Sequence, residues 1–539
     1  MKIATGGAAA IADISVPAQA TNMWITRYRA MAELLYAVRR RLPQLPVLGM
    51  SLLHPRHSLP ADQLKLLSSL EDARPSTRWH PSLVWLVMRW LRCVLYGCRE
   101  TFNLLWVKPQ VWPMIRRLSR QPAQVLIKTW CFGPDHVNDG ADFYFGTLVQ
   151  RLQARGISSL LLCGDTRERL DAAFAKAVLR RSEVRAVPDE ALIPVWAPLG
   201  MAAQQLICAI TLRHLARREA DPQLARVYAA AAKGSVQPIT LRNALHFYRT
   251  QAAVKRWDGQ VLVTLYEGQP WEKPSWFGAR AANAGCVIVG YQHTIVQPHS
   301  LELLAPRRAA NEIAAPDVVL CVGEVTRAML SEGHRPFGTR FVAFGTHRLA
   351  PTPTDTESYA PVPSRRTVLV LPEGIPQEAR LLFDFATQLA MEVPDHHFIF
   401  RSHPVLPFEQ IRATLRTDPS RAPNIELAGS QPMSADLVRS SVVLYRGSSA
   451  VLHALLHGLK PVYVHRDDTP DIDPLFEIEQ WREWSASPDE AAQLLQLYAQ
   501  TDSASASEQW RRAAEYARAY LMPVTDASID QFIEAADLS

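Results

Sequence analysis

The chain contains no pair of cysteines spaced for chemistry. Its seven cysteines, Cys93, Cys98, Cys131, Cys163, Cys208, Cys286 and Cys321, are odd in number and form no C-x-x-C pair. Most sit in apolar runs such as Leu160–Asp165. That argues against a disulfide scaffold and a cysteine-based zinc site, and suits a reducing compartment. A large excess of one charge sign is also lacking, with 58 basic against 52 acidic residues. A formal net charge of +6 over 539 residues is too weak to mark a nucleic-acid binder, though it suits small anions or an anionic membrane surface. The opening residues MKIATGGAAAIADIS lack the apolar core of a secretory leader. The most apolar stretch, Pro81–Trp112, is broken by Arg89, Arg92, Arg99 and Glu100. A spanning helix needs about 20 mostly apolar residues, so this stretch is not expected to cross a bilayer. Its tryptophans beside arginines fit a helix lying at a membrane interface, and equally a helix packed on the protein's own core. No acidic D-x-D pair closes a strand of the first half, so no metal site and no cofactor are expected.

What the chain does contain is a rhythm. Apolar residues make up 48% and charged residues 20%, an ordinary globular balance. The length calls for two or three domains. Residues 1–120 read as a helical, Arg- and Trp-rich region. From about residue 121 short apolar runs alternate with helical periodicity, the pattern of a parallel sheet. Strands are expected near Ala123–Thr129, Ile157–Cys163, Val261–Leu265, Cys286–Tyr291, Asp317–Val322 and Phe341–Phe344, with a helix over Ala141–Gly156. The stretch Ala350–Arg366, with four prolines among Ser, Thr and Asp, reads as a linker. A second series follows, with strands near Thr367–Leu371, His397–Arg401, Ile425–Ala428, Val442–Tyr445 and Pro461–Val464. The predicted domains are therefore 1–120, 121–350 and 351–539, the last closed by helices. Two successive parallel α/β domains are expected to face a cleft formed by the carboxyl ends of their strands, where open α/β sheets bind ligands.

The chemistry is expected on those strand-end loops. In the second domain Ser448 and Ser449 stand where a helix begins, offering hydroxyls and unpaired backbone N–H groups to a phosphate. Plain N-capping is the simpler role for either serine. Arg401 and His403 follow another strand, with Pro404 fixing the turn, and Gly374 opens the domain where its backbone can approach a ligand. Loops from neighbouring strands suit a clamp on one phosphate. In the first domain Glu267, before Gly268, is the candidate general base, with Glu272 close behind it. Asp139 is its rival, or else a helix cap. Gln292 and His293 end a further strand and are candidate contacts to a second substrate.

These motifs, in this order, resemble those of bacterial surface-polysaccharide glycosyltransferases of the GT-B fold, specifically the polysialyltransferase, Kdo transferase and CDP-glycerol polymerase groups. His403-Pro404 is similar to their HP motif and Ser448-Ser449 to their serine pair. Glu267-Gly268 is similar to their acidic motif before glycine, with Tyr266 in place of its first acid. Gln292-His293-Thr294 is similar to a QHG-type loop, with threonine for glycine. The resemblance covers roughly residues 121–500. It implies two Rossmann-like domains with a helical N-terminal extension and a metal-independent transfer of a sugar from a nucleotide donor. That donor would be CMP-linked, such as Kdo or a sialic-acid-like sugar. The acceptor would be a growing capsule or lipopolysaccharide glycan or a lipid-linked precursor, and the enzyme would sit in the cytoplasm at the inner membrane surface. Two other classes share the fold: a sugar-nucleotide epimerase or hydrolase, and a non-catalytic protein of polysaccharide assembly.

Overall fold

The computed structural model describes residues 30–35, 37–38, 47–48, 81–134, 137, 140–167, 170–297, 300, 302–303, 315–334, 338–349, 360–419, 422–429, 431–466, 471–478 and 480–538. The chain divides into two compact units. One comprises Arg27–His293, His299–Arg348 and Met522–Ser539; the other includes Thr294–Pro298 and Leu349–Leu521.

The first unit is built on a seven-stranded parallel sheet. Its strands are β1 (Val125–Cys131), β2 (Ser159–Asp165), β3 (Ala186–Pro188), β4 (Val261–Leu265), β5 (Val287–Gln292), β6 (Val318–Cys321) and β7 (Arg340–Ala343). They lie in the order β3-β2-β1-β4-β5-β6-β7, all pairs parallel. A parallel sheet is covered on both faces, which is why β1, β2 and β4 are buried along their whole length and read as continuous apolar runs. The helices are α1 (Leu83–Leu118), α2 (Leu148–Gln153), α3 (Ala172–Leu179), α4 (Ala197–Arg218), α5 (Pro222–Ser235), α6 (Pro238–Trp257), α7 (Glu272–Ala282) and α8 (Glu324–His334).

The second unit carries a six-stranded parallel sheet of β8 (Thr367–Pro372), β9 (His397–Phe400), β10 (Ile425–Leu427), β11 (Val442–Arg446), β12 (Lys460–Val464) and β13 (Glu483–Ser485). Its order is β10-β9-β8-β11-β12-β13. Its helices are α9 (Pro376–Glu392), α10 (Phe408–Arg412), α11 (Met433–Arg439), α12 (Ala450–Leu456), α13 (Pro488–Ala499) and α14 (Ser503–Tyr520). Both sheets are doubly wound, as expected. In each, the strand order reverses beside the first strand, between β1 and β4 and between β8 and β11, and that reversal opens a crevice at the carboxyl edge.

Three expectations are corrected. The last helix, α15 (Asp526–Ala535), does not finish the second unit. Met522 N–H donates to Val322 O and Thr346 N–H to Met522 O, so the chain returns to the first sheet, where Phe532 meets Phe344 edge-on. The region before residue 120 is not a separate body where it is described: α1 packs along α4 inside the first unit. The helix expected over Ala141–Gly156 begins only at Leu148. Asp142 is the reason. Its carboxylate accepts from the N–H groups of Tyr144 and Phe145, both at 2.9 Å, and from Thr129 Oγ1, and these bonds hold a turn instead of a helical start. β3 and β13, three residues each, went unread because short edge strands carry little periodic signal.

Under the first sheet lies a buried charge cluster. Lys128, in the middle of β1, pairs with Asp189, which Arg249 of α6 also reaches at 3.1 Å. Arg249 lies 3.3 Å from Glu190 as well. Burial pushes the Glu190 carboxyl well above its usual range, with Asp189 next to it adding to the effect. His246, which with Trp130 and Trp271 forms a triangle of touching rings, is held neutral by burial and by the neighbouring cations.

Candidate active site

At the carboxyl edge of the second sheet three neighbouring strands deliver the sequence motifs to one place. β8 ends in Glu373-Gly374, β9 in Arg401-Ser402-His403-Pro404, and β11 in Gly447-Ser448-Ser449. Glycines set how closely these loops approach. A Cβ on Gly374 would stand 2.9 Å from His403 Nδ1, so the imidazole packs against bare backbone. Gly447, at φ +73°, turns the chain after β11, and a Cβ there would stand 2.6 Å from Glu373 Oε2. His403, Gly374, Glu373 and Gly447 thus form a continuous line across the switch point. Val405 N–H donates to His403 Nδ1 at 3.3 Å, which leaves Nε2 as the protonated nitrogen.

Ser448 is buried and Ser449 exposed. Ser449 occupies the N-cap position of α12 but makes no side-chain cap hydrogen bond, so its hydroxyl is not spent on capping. Arg401 behaves otherwise. It donates to Asp436 at 2.7 Å and to Gln431 O at 2.9 Å, ties β9 to α11, and is not directed at the loop cluster as the sequence suggested. Pro404 is exposed on the turn that follows.

Sequence reasoning passed over the side chain of Glu373, having considered only the backbone of Gly374. Oε2 of Glu373 is buried without a hydrogen-bond partner. Its pKa is raised to about 7, chiefly by burial and then by the nearby Glu378, with Arg446 opposing. Arg446 is itself buried, pairs with Glu378 and donates to Tyr463 Oη and Val464 O. The available signal was a carboxylate between a buried strand and a glycine at the sheet's first strand.

The first sheet has its own mouth. β4 ends in Tyr266-Glu267-Gly268 and β5 in Gln292-His293. His293 Nε2 lies against Glu267 Oε1; the histidine side chain is 4% exposed and the glutamate 21%. Tyr144, presented by the Asp142 turn, stands 4.9 Å from the His293 ring, and Arg348 lies over Tyr144 at 4.8 Å and over Phe143 at 4.5 Å. Phe143 is 52% exposed.

Two expected contacts are not contacts. Glu272 is 1% exposed, and its carboxylate accepts from the N–H of Glu267 at 2.8 Å and of Gly268 at 3.3 Å. It shapes the turn that presents Glu267. Gln292 is fully buried and accepts from Val322 N–H, binding β5 to the end of β6. Asp139 lies outside the described residues, as do His136 and Asn138. Among the described residues no group of three His, Cys, Asp or Glu side chains is placed to hold a metal ion.

No known protein family matches the chain by sequence. No curated protein matches it either. Among solved structures the chain is similar to the glycotransferase of kitacinnamycin, at 14% identity and TM-score 0.42, over 77% of this chain and 100% of that one. It is also similar to UDP-GlcNAc 2-epimerase from Neisseria meningitidis, bound to UDP-GlcNAc, at 10% identity and TM-score 0.44 over 77% and 99%. A third is the glycosyltransferase SnogD from Streptomyces nogalater, at 17% identity and TM-score 0.38 over 77% and 100%.

Proposed function

We propose that this chain is a glycosyltransferase that moves a sugar from a nucleotide donor to a carbohydrate acceptor. The observation that carries the reading is the convergence of His403, Gly374, Glu373 and the Gly447-Ser448-Ser449 turn at the switch point of the second sheet. This is the position at which doubly wound sheets take phosphate-bearing ligands. In this reading the donor diphosphate or monophosphate is met by the Nε2–H of His403, by the serine hydroxyls and by backbone N–H groups at the bared glycines. Those donors stabilise the departing nucleotide by hydrogen bonding, so no divalent ion is required.

The first unit carries the candidate acceptor groups. Glu267 takes the proton of the acceptor hydroxyl as its oxygen attacks the anomeric carbon and the bond to phosphate breaks. His293, almost wholly buried behind it, positions the carboxylate. Glu272 holds the turn through two backbone N–H groups. Phe143, Tyr144 and Arg348 give the acceptor ring a stacking face. The donor is a CMP-linked sugar acid such as Kdo or a sialic-acid-like sugar, and the acceptor a cytoplasmic-side precursor of a surface glycan such as capsule or lipopolysaccharide. The resemblance of the HP, serine-pair and acidic motifs supports that choice.

The deciding experiment incubates the protein with CMP- and UDP-linked sugars, with and without glycan acceptors, and follows products by mass spectrometry. Transfer that requires an acceptor supports the reading. Conversion or hydrolysis of a nucleotide sugar without one would replace it with an epimerase or a hydrolase. Absence of nucleotide binding would leave a non-catalytic assembly role.

A further inference from the structure

Of the two readings of Pro81–Trp112, packing on the protein's own core accounts for only one face of α1. One face is core: Leu86, Cys93, Leu104, Val107, Val111 and Ile115 are buried. The opposite face is apolar too, and exposed. Val84, Met88, Leu91, Leu95, Phe102 and Leu105 are between 42% and 73% exposed, at spacings of three, four or seven that put them in one stripe. α4 runs antiparallel beside it, held by Trp90 Nε1 to Ala202 O at 2.7 Å, Thr101 Oγ1 to Val195 O at 3.3 Å and Lys108 Nζ to Ile193 O at 2.8 Å. α4 brings a second exposed apolar set, Leu199, Ile207 and Ile210. A soluble surface seldom leaves a contiguous patch of this kind without a partner.

The charges choose the occupant. α1 contains one acid, Glu100, and it is buried; α4 contains none. Arg89, Arg92 and Arg99 flank the α1 stripe, all exposed, and Arg217 and Arg218 end α4. A second copy docking here by two-fold symmetry would set arginine rows against each other with no acid to pair. Trp85, with Arg89 5.4 Å from its ring, and Trp106 are exposed near the ends of the stripe, a placement suited to a lipid headgroup layer. Among the described residues no helix is long and apolar enough to cross a membrane. We infer that α1 and α4 together form a docking plate for the surface of an anionic lipid bilayer, lying in its plane with the arginines reaching the headgroups.

The test is sedimentation of the full chain with vesicles of phosphatidylcholine alone or of phosphatidylcholine with phosphatidylglycerol. Binding should favour the anionic vesicles and weaken with salt. The pair Met88→Ser with Leu95→Ser should lower the partition coefficient about tenfold or more. The pair Arg92→Glu with Arg99→Glu should abolish the preference for phosphatidylglycerol. On α4, Ile207→Ser should weaken binding too, which an α1-only contact would not produce. Because all these side chains are exposed, melting temperature and nucleotide binding should stay at wild-type values. Failure of the membrane reading is thereby separate from failure of the catalytic one. A wild-type chain that ignores both vesicle types overturns the inference. So does a dimer seen by light scattering that Met88→Ser with Leu95→Ser dissociates while lipid binding persists.

Discussion

The imidazole of His293 lies against the carboxylate of Glu267, joining the loops that end two hydrogen-bonded strands, β5 and β4. Of the two, Glu267 is the more exposed. Histidine and carboxylate in contact act as a unit: the buried partner fixes the orientation of the one that meets substrate, and a change in either is felt by both.

That relationship yields the first prediction. Glu267→Gln keeps the shape of the turn but removes the proton acceptor, so turnover should fall by about 10²–10⁴-fold with the donor KM unchanged. His293→Asn should give a smaller loss. If steady-state kinetics show Glu267→Gln turning over normally, the base lies elsewhere, and Asp139→Asn becomes the decisive variant.

At the second sheet, His403→Ala should weaken nucleotide binding by roughly ten- to a hundred-fold, the range expected for a lost hydrogen bond to a charged group. Ser448→Ala with Ser449→Ala should do the same. Arg401→Ala should instead destabilise the fold by loosening β9 from α11 and spare nucleotide affinity once folded protein is compared. Calorimetry on folded samples separates the two. Equal affinities for wild type and His403→Ala would remove the phosphate site from this mouth.

Glu373 makes the site sensitive to pH. Its pKa of about 7 lies above the ordinary 4.5, so the folded chain holds this proton more tightly than the unfolded one. The sign follows: its contribution to stability is present below about 4.5 and is lost as pH rises through about 7. Glu373→Gln should flatten that decline and be more stable than wild type at alkaline pH, by up to about 3 kcal/mol if the full shift is expressed. A phosphate bound beside an ionised Glu373 is repelled, so nucleotide affinity should fall through neutrality in wild type and stay flat in the variant. Parallel titration curves for the two proteins would rule this out.

Chelation should leave transfer intact, because the leaving nucleotide is met by imidazole, hydroxyl and amide donors. Rates measured with EDTA, then with added Mg²⁺ or Mn²⁺, provide the check. Loss on chelation and recovery on addition would refute a metal-independent mechanism.

The cluster beneath β1 should behave as a stability element. Asp189→Asn leaves Lys128 and Arg249 buried without their shared counter-charge. It should cost roughly 3–5 kcal/mol in denaturant titration, as removal of one partner from a buried ion pair does. A loss under 1 kcal/mol would mean that Glu190 ionises and takes over the pairing.

Several features of this protein were legible in the linear chain because they depend on local composition. Continuous apolar runs such as VLVTL over Val261–Leu265 are required of strands buried on both faces, so eleven of the thirteen strands among the described residues could be read directly. The loops after those strands could be read with them, which is how His403, Ser448, Ser449, Glu267 and His293 came forward. Partnership could not be read, because hydrogen bonds between residues far apart in sequence leave no periodic trace. Only the folded chain shows that Arg401 is taken by Asp436, that Glu272 and Gln292 hold backbone N–H groups, and that His293 rests on Glu267. The same holds for Asp142, whose capture of Tyr144 and Phe145 replaced a helix with a turn. For α1 the sequence determined that two faces are apolar, and tertiary packing decided which one the core used. α4, α3 and α6 could cover only one side of a single helix, and the other remained at the surface.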